Sequence, residues 1–284
     1  MTRIIDGKAI AAAVGDRVRE DVAALAAAGL TPVLAVVVAT DDPGATWYVR
    51  AIGAAARRLG IGCHVHDLGP AASAAAITGL LAELSSDGRV HGIICQTPLP
   101  PAVPPGLAAQ QIAPIKDVDG ANPQSLGMLA AGMPGAFPTA TAAAVAEILD
   151  HEGAVLEGRR AVVVGRSTVV GKPTALLLLA RNATVTICHS RTEDLAGVCR
   201  EADSLVAAAG RPKLIGAAHV RPGALVIDVG ISSVGTTGGV AGDVDTGTVT
   251  GIAAAVTPVP GGVGPVTTMQ LMRHTADAAR DLAG

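Results

Sequence analysis

AVVVGRSTVVGKP, Ala161 to Pro173, is the stretch on which the reading of the fold turns. An apolar strand ends at Gly165, a short polar turn follows, and Gly171 opens a helix. Strand, tight turn and helix in that order bring a helix N-terminus and close-approaching backbone against a dinucleotide pyrophosphate. The spacing is G-x-S-x-x-x-G rather than G-x-G-x-x-G, so a purely structural turn stays open as an alternative. The next strand, ATVTICHSRT, bears on cofactor choice. Roughly 20 residues beyond the glycine turn an NAD-binding fold presents an acid to the ribose hydroxyls. Here the strand ends in His189, Ser190 and Arg191, and the first carboxylate is Glu193. With Arg166 in the first turn, two guanidinium groups and a hydroxyl suit a 2′-phosphate, which favours NADP over NAD.

Working outward, helix and strand alternate along most of the chain, the βαβ layering of an α/β fold. On the N-terminal side, Lys8–Ala28 carries an apolar stripe with Arg17, Arg19 and Glu20 on the wet side, and Gly29 stops it. PVLAVVVA, Pro32–Ala39, is a continuous apolar run, as expected for a parallel strand covered on both faces. A helix from Ala45 to Leu59, a strand at Cys63–Leu68, a helix at Ala72–Leu84 and a strand at Gly92–Cys95 follow. TPLPPAVPP from Thr97 is Pro-rich, and KDVDGANPQSLG, Lys116–Gly127, reads as a polar functional loop. A helix over Thr141–His151 leads into the second alternation: strand Arg160–Val164, helix Lys172–Ala180, strand Ala183–Cys188, then strands at Ser204–Ala208 and Ala224–Val229. Pro258–Pro265 (PVPGGVGP) reads as a tight loop and Val266–Leu282 as a closing helix. The expected architecture is two α/β lobes: residues 1–140, and residues 141–284 as a Rossmann-type lobe, with the final helix able to pack back on the first.

Composition narrows the partners. Of 284 residues 50% are hydrophobic but only 1% aromatic, so Ala, Val, Leu and Ile must build the core. No run approaches the roughly 20 apolar residues of a membrane span, and MTRIIDGKAI lacks the apolar segment of a signal peptide, so a cytoplasmic protein is expected. A net charge of −3 with interspersed signs marks no nucleic-acid or anionic-membrane surface. Cys63, Cys95, Cys188 and Cys199 have no metal-type spacing and read as reduced structural thiols, and no metal site is expected.

The chain has one Trp, one Tyr and one Phe, and two of the three are adjacent in TWYVRAIGAAA, Thr46–Ala56. On a helix the neighbour of Tyr48 is Ile52. Trp47 and Tyr48 are either packing anchors or part of a site; the local pattern does not choose.

GRSTVVGKP, ATVTICHSRT, VIDVGI, TPVPGGVGP, KDVDG and QTPLP occur in an order that resembles the methylenetetrahydrofolate dehydrogenase/cyclohydrolase family, also called FolD, over essentially the whole chain. The resemblance implies a catalytic N-terminal lobe, an NADP-binding lobe, a cleft between them and a homodimer. The implied reaction is NADP-dependent oxidation of 5,10-methylenetetrahydrofolate to the methenyl form, followed by hydrolysis to 10-formyltetrahydrofolate. It also implies roles residue by residue. Tyr48 packs on the folate ring system, Gln96 holds the family's lysine, and Asp119 binds the pterin; these three are the catalytic candidates. Gly262, Gly264 and Pro265 close beside substrate, while Gly165, Arg166, Ser167, Ser190, Arg191 and Ile231 fall at cofactor positions.

The chain departs from the family pattern mainly in the first lobe. The family helix reads Y-V-x-x-K, and Ile52 stands at the lysine. Gly44-Ala45 replaces A-S, Thr97 the first Leu of Q-L-P-L-P, Ser125 an Asn, and PTATAAA the motif P-C-T-P-x-G. Oxidation of the methylene carbon requires geometry and no obligatory proton transfer by the protein. Hydrolysis of the methenyl cation requires a positioned acid/base, which contributes about 100- to 10,000-fold. Ile52 cannot supply it. Lys8, Lys116, Lys172 and Lys213 are the remaining lysines, none near Ile52 in sequence; Arg50 points off the Tyr48 face, and His64 and His66 read as satisfied or exposed histidines. The expectation is therefore a dehydrogenase with weak or absent cyclohydrolase activity. The competing reading is a repurposed paralogue that binds NADP and a pterin-like ligand.

Overall fold

The computed structural model of the chain describes residues 1–234 and 239–284. In chain order the elements are β1 (Arg3–Ile4), α1 (Gly7–Ala27), β2 (Val33–Val38), α2 (Pro43–Leu59), β3 (Gly62–Asp67), α3 (Ala74–Ser86), β4 (Gly92–Cys95), α4 (Pro105–Ala109) and α5 (Pro123–Ala130). They continue as α6 (Ala140–His151), β5 (Arg160–Val164), α7 (Gly171–Leu179), β6 (Thr184–Cys188), α8 (Leu195–Cys199), β7 (Ser204–Ala207) and β8 (Leu225–Asp228). The last are β9 (Ser232–Val234), β10 (Gly239–Ala241), α9 (Thr246–Val249), β11 (Ala255–Val256) and α10 (Val263–Ala283). Two compact units result, one of residues 13–140 with 268–284, the other of residues 1–12 with 141–267.

The 13–140 unit is built on a three-stranded parallel sheet in the order β3-β2-β4. VLAVVV is the central strand, its last five residues buried, which is why it lacks the alternation of a half-exposed strand. Ala35, Val37, Ile77, Leu81, Ile93 and Ile112 form a core of branched and small side chains. Helix α2 starts where the Asp42 carboxylate accepts from Ala45 N at 2.7 Å with Pro43 at the first position, and it stops at Gly60 in the left-handed conformation. Much of the final helix belongs here: the His274 ring stacks on Phe137 with centroids 4.8 Å apart, and its Nδ1 lies 2.8 Å from Val118 O.

The 141–267 unit carries a six-stranded sheet in the order β1-β11-β8-β7-β5-β6, every pair parallel. Val163, Leu178, Val206 and Ile227 pack on one face, and Val162, Leu205, Val226 and Val256 on the other. From β5 the chain steps to β6 on one side and later to β7 on the other, so a topological switch point lies between β5 and β7.

Four features differ from the sequence-based expectations. Residues 1–12 join the 141–267 unit, because Arg3 and Ile4 pair with Ala255 and Val256 and because Ile5 and Ile10 are buried in its core; a two-residue strand carries no periodicity to read. The polar stretch after Asp119 is not all loop. Asn122 caps α5, accepting from Gln124 N at 2.8 Å, with Pro123 at the first helical position. Likewise α10 begins at Val263, so the last three residues of PVPGGVGP are already helical, Pro265 sitting in the first turn where no donor is needed. The antiparallel pairing of β9 with β10 is a further addition to the expected elements.

Candidate functional site

In the 13–140 unit, α2 buries Ala45, Val49, Ile52, Ala56 and Leu59 on one face. Ile52 is 0% exposed and belongs to the packing of the unit. Tyr48, one turn earlier, is only half-buried, and Trp47 is 71% exposed, so the tryptophan is not a packing anchor. Tyr48 hydrogen-bonds Thr268 of α10 and lies within electrostatic reach of Asp119. Burial first, and then the Asp119 charge, raises the phenol pKa; the Thr268 hydroxyl acts against both. Thr268 was not among the residues the sequence singled out, and nothing in the local pattern marks it.

Asp119 is the electrostatic centre of this group. The protein packed around it, and secondarily the charge of Asp117, push its carboxyl up to about 7 although the side chain keeps some solvent access. Cys95, at the end of β4, is raised to about 11 by burial and by Asp119. Tyr48 and Cys95 thus both lie within reach of Asp119, whose charge opposes the ionisation of each.

The backbone around Asp119 is held by its neighbour. Asp117, 0% exposed, accepts from Ala121 N at 3.0 Å, Asn122 N at 2.8 Å and Ser125 Oγ at 2.6 Å. Gly120 follows at φ +63°, where an added Cβ would stand 2.5 Å from Thr139 N. Ser125 therefore does a structural task, keeping a buried carboxylate satisfied. Gln96 donates its Nε2 to Thr97 O at 2.6 Å, which leaves the amide oxygen to accept. Lys116 is turned elsewhere: it is buried, and its Nζ donates to Asp87 O at 2.8 Å. It is the sole lysine of this unit, because Lys8, Lys172 and Lys213 belong to the other. His64 is exposed and His66 half-buried, both on the edge strand β3.

The 141–267 unit holds the glycine turn. Gly165 has φ +138°, and an added Cβ would stand 2.1 Å from Ala208 O; one on Gly171 would stand 2.2 Å from Gly165 O. Both positions exclude a side chain, which leaves bare backbone at the N-terminus of α7. The Ser167 Oγ accepts from Val170 N at 3.1 Å and Gly171 N at 3.4 Å, shaping that turn. Val164 lies opposite Cys188 in register, so Arg166 and Ser190 leave neighbouring strand ends at equivalent positions. Arg166, Ser190, Arg191 and Ile231 are all exposed. The 189–192 turn is held by His189 N donating to Thr192 Oγ1 at 2.8 Å and Arg191 N to His189 Nδ1 at 3.2 Å. A glycine cradle on a helix N-terminus, flanked by two exposed guanidinium groups, fits a phosphorylated dinucleotide.

Gly262, Gly264 and Pro265 belong to this same unit, the last two in the first turn of α10. Gly262 packs backbone to backbone: an added Cβ on Gly7 would stand 1.9 Å from its carbonyl oxygen. The four cysteines are free thiols. Among the described residues there is no group of three or more His, Cys, Asp or Glu able to hold a metal ion, and no helix long and apolar enough to cross a membrane.

Comparison with known proteins covers both units. The family model for the tetrahydrofolate dehydrogenase/cyclohydrolase catalytic domain matches residues 5–119, and that for the NAD(P)-binding domain of the same family matches residues 139–283. A bifunctional protein FolD of Parafrankia sp. (strain EAN1pec) is 54% identical over 277 residues, spanning 98% of this chain and 99% of that one. Among solved structures, the bifunctional FolD methylenetetrahydrofolate dehydrogenase/cyclohydrolase of Campylobacter jejuni superposes with a TM-score of 0.95 at 36% identity, covering 99% of both chains. The FolD of Trypanosoma brucei, solved with NADP cofactor and an inhibitor, gives a TM-score of 0.93 at 35% identity, over 99% of this chain and 98% of that one.

Proposed function

The chain belongs to the tetrahydrofolate dehydrogenase/cyclohydrolase family, and from that premise we propose that it oxidises 5,10-methylenetetrahydrofolate to the methenyl form with NADP, with weak or absent hydrolysis of the product. The observation that carries the asymmetry is Ile52: fully buried, apolar, and one helical turn from Tyr48.

NADP, when bound, supplies the two-electron acceptor. The residues that would hold it are the backbone of Gly165 and Gly171 with Ser167 at the pyrophosphate, Ser190, Arg166 and Arg191 at the 2′-phosphate, and Ile231. For the folate, Asp119 would accept from the pterin and Tyr48 would offer its ring face, with Gln96 as a further polar contact. Holding two reactants in contact supplies about 7–11 kcal/mol of a barrier in favourable cases, and this step asks the protein for nothing more. Hydrolysis asks for a proton acceptor and donor. The lysine present in this unit has its ammonium on Asp87 O, so it leaves that task unfilled. We also propose a homodimer formed through the open edge of β3, where Val65 is 50% exposed.

Absorbance of NADPH with methylenetetrahydrofolate, then methenyl decay in the same cuvette, tests the reading. Oxidation with NADP, slower oxidation with NAD, and methenyl decay close to the rate without enzyme are expected. Rapid enzyme-dependent hydrolysis would reject the hydrolytic part. NADP binding without either activity would favour the paralogue that only binds a pterin-like ligand.

A further inference from the structure

The turn after β7, Ala208–Arg211, stands across the switch point from the Gly165 turn, where a dinucleotide crosses the carboxyl ends of such a sheet. Three consecutive amides of that turn point at one carboxylate. Ala209 N, Gly210 N and Arg211 N donate to Asp243 at 2.5, 2.9 and 2.8 Å. Asp243 is 0% exposed and comes from a segment more than thirty residues later in the chain.

A second buried carboxylate holds the first in place. Asp243 N donates to Asp228 Oδ1 at 2.9 Å, Val244 N to Asp228 Oδ2 at 2.9 Å, and Gly230 N to Oδ1 at 3.0 Å. Asp228 N in turn donates to Thr257 Oγ1 at 2.7 Å. The fit leaves no slack. An added Cβ on Gly242 would stand 1.9 Å from Asp228 Oδ2, and one on Gly230 would stand 2.3 Å from Asp243 Oδ1. At the other end, Ala208 N donates to Val164 O at 2.8 Å, and its carbonyl is the wall against which Gly165 lies bare. A continuous line of contacts therefore runs from Thr257 through Asp228 and Asp243 to the Gly165 turn, crossing the ends of β11, β8, β7 and β5.

We propose that Asp243 is a positioning residue of the cofactor site, its carboxylate setting the Ala208–Arg211 turn and, through Ala208, the Gly165 turn. A carboxylate suits the task because it accepts several N–H groups at once and has no donor of its own to misdirect them. Nothing in the glycine motif announces it, since the acid lies far downstream. The inference rests on the NADP reading given above.

Asp243→Asn keeps the size of the side chain but turns an amide NH2 toward three N–H donors. NADP affinity, measured by calorimetry, is expected to fall by at least about tenfold, while KM for the folate stays within about twofold. In the protein without nucleotide, hydrogen exchange should quicken in the 163–171 segment as well as in 208–211. Should Asp243→Asn fail to fold, Asp228→Asn, one link further away, is expected to move the same two readouts less. NADP affinity within about twofold of the unmodified protein, or a 163–171 segment whose exchange does not respond, would overturn the proposal. If the unmodified protein takes up no NADP, the functional reading fails, and the exchange coupling by itself decides whether one turn positions the other.

Discussion

Ile52 and Asp119 show how one substitution changes the meaning of its neighbours. Ile52 lies wholly inside the 13–140 unit, so Ile52→Lys would bury an ammonium without a prepared partner. A loss of about 3 kcal/mol or more is expected by thermal unfolding. Where the Gln96 amide oxygen and Tyr48 orient the new group, methenyl hydrolysis should rise about 100-fold, the lower end for a positioned acid/base. A destabilised protein with unchanged hydrolysis would show that these two residues do not suffice. Asp119 offers a pH test. Its carboxyl is raised to about 7, while the unfolded chain releases the same proton near the ordinary carboxylate value. Between those limits the native state binds more protons, so this group favours folding at low pH and the contribution is lost as pH rises to about 7. Asp119→Asn should flatten that decline and, with allowance for partial solvent access, add about 1–2 kcal/mol at pH 8. It should also weaken folate binding most where the native acid is ionised, above pH of about 7. A variant with the same pH–stability curve as the unmodified protein would contradict this account.

At the scale of the element, the cofactor turn depends on what is missing from it. Gly165 combines a φ that L-residues rarely adopt with backbone contact to Ala208, and Gly171 rests on the Gly165 carbonyl. Gly165→Ala would force the chain to resolve a 2.1 Å approach to a carbonyl oxygen at a left-handed φ. A cost of about 3 kcal/mol follows from strain and overpacking together, with loss of measurable NADP affinity and little change in folate binding. Equal NADP affinity in the alanine variant would show that the turn is not the nucleotide seat. The Asp117 loop uses the same economy of parts: three donors on one buried carboxylate fix the stretch that holds Asp119, the tight turn at Gly120 and the capped start of α5.

Over the whole molecule, the open edge of the three-stranded sheet calls for a partner. Among the described residues strand β3 pairs only with β2, and GCHVHD carries neither the lysine nor the proline that commonly guards such an edge. Half of Val65 is exposed there. Light scattering after gel filtration is expected to give twice the chain mass, and Val65→Lys, which sets like charges against each other across a two-fold axis, should shift the species toward monomer. A monomer for the unmodified protein at micromolar concentration would refute that interface. The nucleotide turn lies in the other unit, so NADP affinity should be the same in the Val65→Lys variant.

Local pattern alone carried a large part of this protein. Continuous branched runs such as VLAVVV announced buried parallel strands, Gly29 marked a helix end, and the strand–glycine–helix order at Ala161–Pro173 located the nucleotide turn, because each signal lies within a short run of consecutive residues. Other facts needed the folded chain. Arg3–Ile4 is too short to show a period, yet pairing with Ala255–Val256 draws residues 1–12 into the 141–267 unit. In sequence Lys116 is only one of the lysines distant from Ile52, and the fold shows its Nζ on Asp87 O. Ile52 was placed beside Tyr48 by helix spacing alone, and only the fold shows that its side chain is fully buried. The Asp119 carboxyl stands near 7 because folding buries it and, secondarily, sets the Asp117 charge beside it, and Asp243 reaches the Ala208–Arg211 turn across more than thirty residues. Burial, and contacts between residues far apart in the chain, arise only when the chain closes on itself, and no spacing in the sequence encodes them.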